Sequence, residues 1–331
     1  ELVLIFLGLE LISIPTYVLL YLGRRGAHAA ESAAKYFFLS VLASALLLYG
    51  FSFLYGASGS TDLSAIAARL AHSPAEPSGL FSLAKVAMVL VFAGLGFKIA
   101  AVPFHFYASD VYQGTSNINA GLLSVLPKAA GMVVLMRVAM LAPGMDHHGW
   151  QIASAMAVLT MTYGNVLALW QEHLRRIMAY SSIAHAGYML VGLAVGMAAA
   201  GDPPARWDGF AALLFYLCVY AAATLGIFAA LASVGRDGDD ADHIDELAGL
   251  AKTRPVLAAA MAVCLFSLAG VPPLAGFWGK LVVFAGALDV HSAGAQDGVR
   301  QWFITLAVIG MLNAAVAAAY YLRVVSVMYF R

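Results

Sequence analysis

Residues 266–280 read FSLAGVPPLAGFWGK and sit inside an apolar run, 255–288, that is too long for one straight membrane span. Proline has no N–H, so Pro272 and Pro273 leave the carbonyls of Leu268 and Ala269 without their helical partners. Gly270 and Gly276 flank the pair, and Lys280 follows it. The run is therefore expected to break. A second stretch repeats the pattern: residues 94–106 read GLGFKIAAVPFHF, where Pro103 frees the Ile99 carbonyl beside Lys98. Released carbonyls, with internal water, can solvate an ammonium or pass on a proton. Two interrupted spans in corresponding places point to an inverted-repeat transporter.

The rest of the chain agrees with a membrane setting. Of 331 residues, 62% are hydrophobic and 11% are charged, against about 25% charged in an ordinary soluble domain. Spans of about 20 apolar residues cross a hydrocarbon core of ~30 Å. Nine are read, at 1–22, 36–56, 84–107, 117–142, 151–170, 177–198, 208–233, 255–288 and 302–327. Period-two alternation is missing, which excludes a barrel, and lipid excludes an open sheet. The fold class is all-α and polytopic, with two discontinuous helices. Residues 1–142 are read as the first repeat, lacking its first helix, and residues 143–331 as the second, inverted one. The chain opens Glu1-Leu2-Val3-Leu4, with neither an initiator Met nor a basic n-region. It reads as a segment of a longer protein.

Charge and motif content narrow the function. Eighteen basic residues balance eighteen acidic ones, which argues against a nucleic-acid binder and a disordered acidic chain. Cys218 and Cys264 are isolated, and no C-x-x-C occurs, so cysteine-ligated metal and a disulfide framework are not expected. Neither G-x-G-x-x-G nor a Walker lysine motif is present. Arg24, Arg25, Arg175, Arg176, Arg236, Lys252, Arg254 and Arg331 fall in loops of one side, and Arg69, Arg206 and Arg300 in loops of the other. The richer side is assigned to the cytoplasm. The acidic stretch 236–246, RDGDDADHIDE, reads as a solvated loop on that side; it lacks the fixed spacing of a calcium loop.

Charges inside spans are costly, about 2.5–3.5 kcal/mol each on insertion scales, and so mark candidate sites. Glu10 lies in the middle of the first span, Lys98 deep in the third, Lys128 just past Pro127 in the fourth, His185 in the sixth and Lys280 beyond the second break. Lysines near helix ends ordinarily snorkel to the headgroups. That reading suits Lys85, competes for Lys35 and Lys128, and fits Lys98 and Lys280 poorly. Glu10 alternatively serves as a static partner for a lysine. His185 shares a helix face with Ser181 and Tyr188, and its bland reading is a hydrogen-bonded core histidine. His105 reads equally as an interfacial residue. Arg137 and Arg323 are expected to snorkel or meet headgroups, and the aromatics to pack or form the interface belt. In general, desolvation helps a buried lysine to release its proton and a nearby carboxylate opposes this. At ~6 Å and an effective dielectric of ~20 such a pair attracts by about 2.8 kcal/mol. A row of these groups at mid-membrane is a proton relay.

GLELISIPTYVLL, ESAAKYFFLSVLASALLLYGFSFLYGASGSTDL, GLGFKIAAVPFHFYASDVYQG, LSVLPKAAG, GNVLALWQEHLRRIMAYSSIAHAGYMLVGL and SLAGVPPLAGFWGKLVVF together resemble one family. It is the antiporter-like membrane subunit N of proton-pumping NADH–quinone oxidoreductase, respiratory complex I, equivalent to mitochondrial chain 2. The resemblance implies a relay in which Glu10 pairs with Lys98, Lys128 comes next and Lys280 stands at the exit half-channel. His185 lies between the halves, and Lys35 matches a family lysine of less defined role. The sister subunit M carries glutamate at the position of Lys280, so lysine here, with SSIAHAGY, favours N. The stretch TSNINAG, 115–121, departs from the family's proline-rich run.

The resemblance further implies no cofactor or metal in this chain, with NADH, FMN, iron–sulfur clusters and quinone in partner subunits. The expected partners are other membrane subunits of complex I, protons and the lipid bilayer, not nucleic acid. The expected location is the bacterial inner membrane. Two rivals remain: a subunit of a multi-subunit sodium/proton antiporter or membrane-bound hydrogenase, and a non-pumping scaffold.

Overall fold

The computed structural model describes residues 1–23, 26–71, 79–141, 149–199, 207–235, 242–290 and 297–331. Thirteen α-helices are found among them. In chain order they are α1 (Leu2–Gly23), α2 (Ala27–Ser58), α3 (Leu63–Ala71), α4 (Gly79–Lys98), α5 (Ala108–Gly114), α6 (Asn117–Ala139) and α7 (Gly149–Leu169). There follow α8 (Leu174–Ala198), α9 (Gly209–Val234), α10 (Leu250–Thr253), α11 (Pro255–Ala269), α12 (Ala275–Leu288) and α13 (Asp297–Phe330). Seven of the described helices are long and apolar enough to cross a membrane. With the two broken spans they account for the nine read from the sequence.

Both breaks form where proline and glycine place them. The α11 helix ends on Gly270 in the left-handed region, at φ 90°, which glycine adopts without a Cβ penalty. The chain turns through Val271–Leu274 and resumes as α12. Gly276 lies against the Ser267 carbonyl oxygen, where an added methyl would overlap it, so only glycine lets the half-helices approach. The other break is wider than expected. α4 stops at Lys98, residues 99–107 run irregularly, and the second half is α5, beyond the 84–107 limit read from the sequence. Polar Ser109, Asp110 and Gln113 hid that half-helix.

Other boundaries also moved. α2 has 32 residues and α13 has 34, about 51 Å at 1.5 Å per residue. The short α3 had no counterpart among the expected elements.

The core is α8, in which Leu174, Arg175 and Ile177–Met197 are all buried. Without a hydrophobic drive between helices in lipid, close approach of small residues holds such a bundle together. α7 and α8 approach that way: a Cβ at Gly187 would lie 2.5 Å from the Met161 nitrogen, and one at Gly164 would lie 2.6 Å from the Ala184 nitrogen. Around α8 stand α5, α6, α9, α12 and α13. Leu4, Leu11 and Ile14 of α1 and Phe38 and Leu42 of α2 point outward and are exposed.

Candidate functional site

The site grows out of α1, α2 and the end of α4. Glu10, Ser13 and Tyr17 fall on one face of α1, and Ser40 and Ser44 lie one turn apart on α2. Lys98, the last residue of α4, reaches into this group. Its Nζ donates to Ser13 Oγ at 2.6 Å and to Ser40 Oγ at 3.1 Å. It stands 3.5 Å from Glu10 Oε1. Ser44 donates to the same carboxylate oxygen at 2.5 Å, and Tyr17 donates to Ser40 at 2.8 Å. The expected Glu10–Lys98 pair thus exists and is tighter than assumed. At that separation the gross attraction is about 5 kcal/mol for an effective dielectric of ~20, offset by the desolvation of both ions. Lys98 turns to serines and a carboxylate rather than to the Ile99 carbonyl.

Lys280 does what the double proline implied. Its Nζ donates to Leu268 O at 2.8 Å and Ala269 O at 2.9 Å, the two carbonyls that the break releases. It also lies over the Tyr188 ring, 5.1 Å from the centroid, a cation–π contact. α12 therefore caps α11 with a cation, where the helix dipole favours one.

Lys128 is the intermediate member, 2% exposed. It donates to the Ser182 carbonyl and to Ser182 Oγ at 2.5 Å, and lies 5.1 Å over the Tyr220 ring. Tyr220 in turn donates to Ser182 Oγ at 2.8 Å. Lys128 does not snorkel, because its ammonium is fully engaged inside the bundle.

His185 stands between the two lysines. Its ring is 5.2 Å from that of Tyr220, beneath Lys128, and 5.7 Å from that of Tyr188, beneath Lys280. Both ring nitrogens are hydrogen-bonded, to Tyr216 and Tyr321. Tyr188 joins a further polar net, accepting from Asn165 at 3.0 Å while Tyr320 donates to Asn165 at 3.1 Å.

Lys35 is not brought into this row. Its side chain is 42% exposed and pairs with Glu31 at 2.7 Å and Asp110 at 3.0 Å. Asp110 also holds Arg176 at 3.1 Å, so it ties α5 to α2 and α8.

Four expectations need correction. Arg175 is not a loop charge. It is 0% exposed and pairs with Asp242 at 2.5 Å, because a guanidinium inside protein requires an anion. The acidic stretch is accordingly not simply solvated: Leu174 N donates to Asp242 O at 2.8 Å and Ile244 N to Glu172 O at 3.1 Å, while Asp245 takes Arg331 at 2.7 Å. Burial, with the Arg175 charge next to it, pushes the neighbouring His173 down to about 4. Arg323, its side chain 43% exposed, meets protein carbonyls at the end of α7 rather than headgroups alone, Leu169 at 3.4 Å and Gln171 at 3.2 Å just beyond. His105 is buried, edge-on to Tyr163 at 4.3 Å.

Arg24, Arg25, Arg206, Arg236 and residues 237–241 of the acidic stretch lie outside the described residues. Among the described residues no cluster of His, Cys, Asp or Glu has the makings of a metal site. The sequence reading missed Ser13, Ser40, Ser44, Ser182, Tyr216, Tyr220 and Tyr321. Ser13 lies one turn from Glu10 and Ser40 one turn from Ser44, but such spacings are common in helices and did not single the serines out; for the tyrosines there was no signal.

Two membrane helices broken at proline–glycine joints, with a buried lysine at each, define an antiporter-like membrane protein. The chain belongs to the NADH:quinone oxidoreductase/Mrp antiporter transmembrane family, whose sequence pattern matches residues 1–296. It is 41% identical to NADH-quinone oxidoreductase subunit N of Paramagnetospirillum magneticum over 100% of this chain and 64% of the relative. It is 42% identical to the subunit N of Rhizorhabdus wittichii, again over 100% and 64%. The chain thus spans less than two thirds of the length of these relatives. Among solved structures, respiratory complex I from Thermus thermophilus with bound aureothin matches with a TM-score of 0.79 and 36% identity, over 100% of this chain and 66% of that one. The Mrp complex from Dietzia matches with a TM-score of 0.83 but 26% identity, over 98% and 56%. Both neighbours share the fold, and the higher sequence identity lies on the complex I side.

Proposed function

We propose that this chain is part of a proton-translocating membrane subunit of NADH–quinone oxidoreductase, placed in a bacterial inner membrane. In this reading protons move along Glu10, Lys98, Lys128, His185 and Lys280. NADH, FMN, iron–sulfur and quinone chemistry belongs to partner subunits, and the protein's own contribution is a row of groups that hold and release protons. Residues 1–142 and 143–331 act as two repeats, each contributing one broken helix and its lysine. Lys35 stands outside the row, and its contact with Asp110 steadies α5.

The single observation that carries this reading is the row itself. Three lysines, 4%, 2% and 6% exposed, are each held by hydroxyls, carbonyls or a carboxylate, and His185 lies against the tyrosine rings over which two of them sit. A scaffold has no use for buried charges that cost so much to insert. Each group also has an acceptor or donor within hydrogen-bond reach, which proton transfer requires.

The test is proton pumping by the reconstituted complex. Lys98→Ala and Lys280→Ala each cut pumping and coupled quinone reduction by roughly tenfold or more, whereas the surface change Arg69→Ala leaves both intact. Normal pumping in the Lys98 variant would overturn the relay. Co-purification with sodium/proton antiporter subunits instead of quinone-reducing ones would move the chain to the rival system.

A further inference from the structure

His185 is 1% exposed, and a phenol bonds to each of its ring nitrogens. The Tyr216 hydroxyl on α9 lies 2.6 Å from Nδ1, and the Tyr321 hydroxyl on α13 lies 2.9 Å from Nε2. Both tyrosines are buried. Tyr321 has a second partner, Ser181 Oγ, at 2.5 Å. Tyr216 packs against Gly279, the neighbour of Lys280, where a Cβ would collide with its ring.

A neutral imidazole carries one N–H and one bare nitrogen, whereas a phenol both donates and accepts. One tyrosine therefore donates to the ring while the other accepts from it. The opposite assignment fits the same heavy-atom positions. The two arrangements differ only in where protons sit, and in each of them both ring nitrogens stay hydrogen-bonded. An ordinary core histidine needs one such partner; this one has a reversible partner on each side.

Resting on the relay reading above, we propose that Tyr216 and Tyr321 are members of the relay, passing a proton through His185 by exchange of its tautomers. In the starting state Nε2 carries the proton and donates to Tyr321, and Tyr216 donates to Nδ1. The Tyr216 proton moves to Nδ1, and a proton from internal water replaces it on the Tyr216 oxygen. The Nε2–H bond breaks and its proton joins the Tyr321 oxygen. Tyr321 releases its own proton to Ser181, and the Ser181 hydroxyl proton leaves to internal water. One proton has entered at Tyr216 and one has left at Ser181, with no phenolate formed. A further proton follows in the same direction once exchange with internal water has returned the ring to its Nε2–H form. The same steps run in reverse, so the geometry fixes a path and not a direction.

The test uses the assembled complex with Tyr216→Phe and Tyr321→Phe, each compared with 2,3-difluorotyrosine at the same position. The fluorinated residue keeps the ring and the hydroxyl but is a stronger acid. Both phenylalanine variants are expected to assemble and to lose roughly tenfold or more of their pumping per complex. The fluorinated variants are expected to assemble, and their pumping rate and its pH profile to shift. A packing role would leave that profile unmoved. Wild-type pumping in the phenylalanine variants overturns the proposal. So does failure of those variants to assemble, combined with an unshifted profile in the fluorinated ones. Lys98→Ala and Lys128→Ala run beside them. If these two also pump normally, the relay reading itself falls; if they fail while the tyrosine variants pump normally, only the tyrosine inference falls.

Discussion

Glu10 and Lys98 bring opposite charges into the bundle on separate helices, 3.5 Å apart. Their neighbours decide what each substitution does. Glu10→Gln keeps the side chain's shape and its contact with Ser44 but removes the charge. Packing around it is nearly unchanged, so the complex should assemble while pumping per assembled complex falls. Glu10→Asp keeps the charge one methylene short and should retain part of the activity. A purely structural Glu10 gives the reverse: poor assembly in both variants with normal pumping by whatever assembles. Pumping normalised to subunit content on a native gel separates the two patterns. The charged half of this site was legible in the sequence, because a glutamate or lysine in an apolar run is too costly to insert without a partner or a task. Its hydroxyl half was not. Serines 13, 40 and 44 cost little in a helix, and tyrosines in apolar spans read as packing, so neither stands out until the helices are placed side by side.

Among the elements, the broken helices were the most readable because proline and glycine act locally: one removes a donor, the other permits a left-handed turn. The second break was placed correctly, yet the first was read too short. The polar residues of α5 face other protein rather than lipid, so hydropathy did not register them. The contact between the start of α8 and the stretch after residue 241 went unread for a related reason. An Arg-Arg pair beside a helix start looks like a surface signal, and only the fold shows that Arg175 is fully buried on Asp242 and Arg176 partly buried on Asp110. Asp242→Asn removes the anion from a fully buried guanidinium, and such a loss costs about 3–5 kcal/mol. The expected outcome is lower thermal stability of the complex and faster hydrogen exchange across Ile244–Leu247, with Asp245→Asn, an exposed pair, serving as the mild comparison. Equal stability of the two variants would show that the Arg175–Asp242 pair does not hold this segment.

At the scale of the molecule, α8 is surrounded by protein on all sides and carries Arg175, Ser181, Ser182 and His185 within it. Helices of the outer layer meet lipid, and the chemistry-bearing groups face inward. Period and length of the apolar runs were enough to read this architecture, since lipid permits so few alternatives. The order in which helices surround α8 was not readable, because it depends on which small residues meet across each interface. The isolated chain should bind no NADH, flavin or iron–sulfur cluster, as Cys218 and Cys264 sit apart and no nucleotide motif is present. An absorption spectrum of the purified chain, after incubation with FMN or cluster reconstitution, should show protein bands alone; a bound chromophore would assign redox chemistry to this chain.

The lysine of the second break belongs to α12 but is anchored on α11, so it works as a latch pin as well as a charge. An ammonium offers three donors and a full positive charge to carbonyls at a helix end; an amine offers fewer donors and no charge. Departure of the proton from Lys280 would therefore slacken the joint between the half-helices, and pulling α12 away from α11 would strip the ammonium of its two carbonyls. Protonation and hinge position become one coordinate, set by a single side chain. A push from a neighbouring subunit and a change in proton occupancy would then each be convertible into the other at this joint.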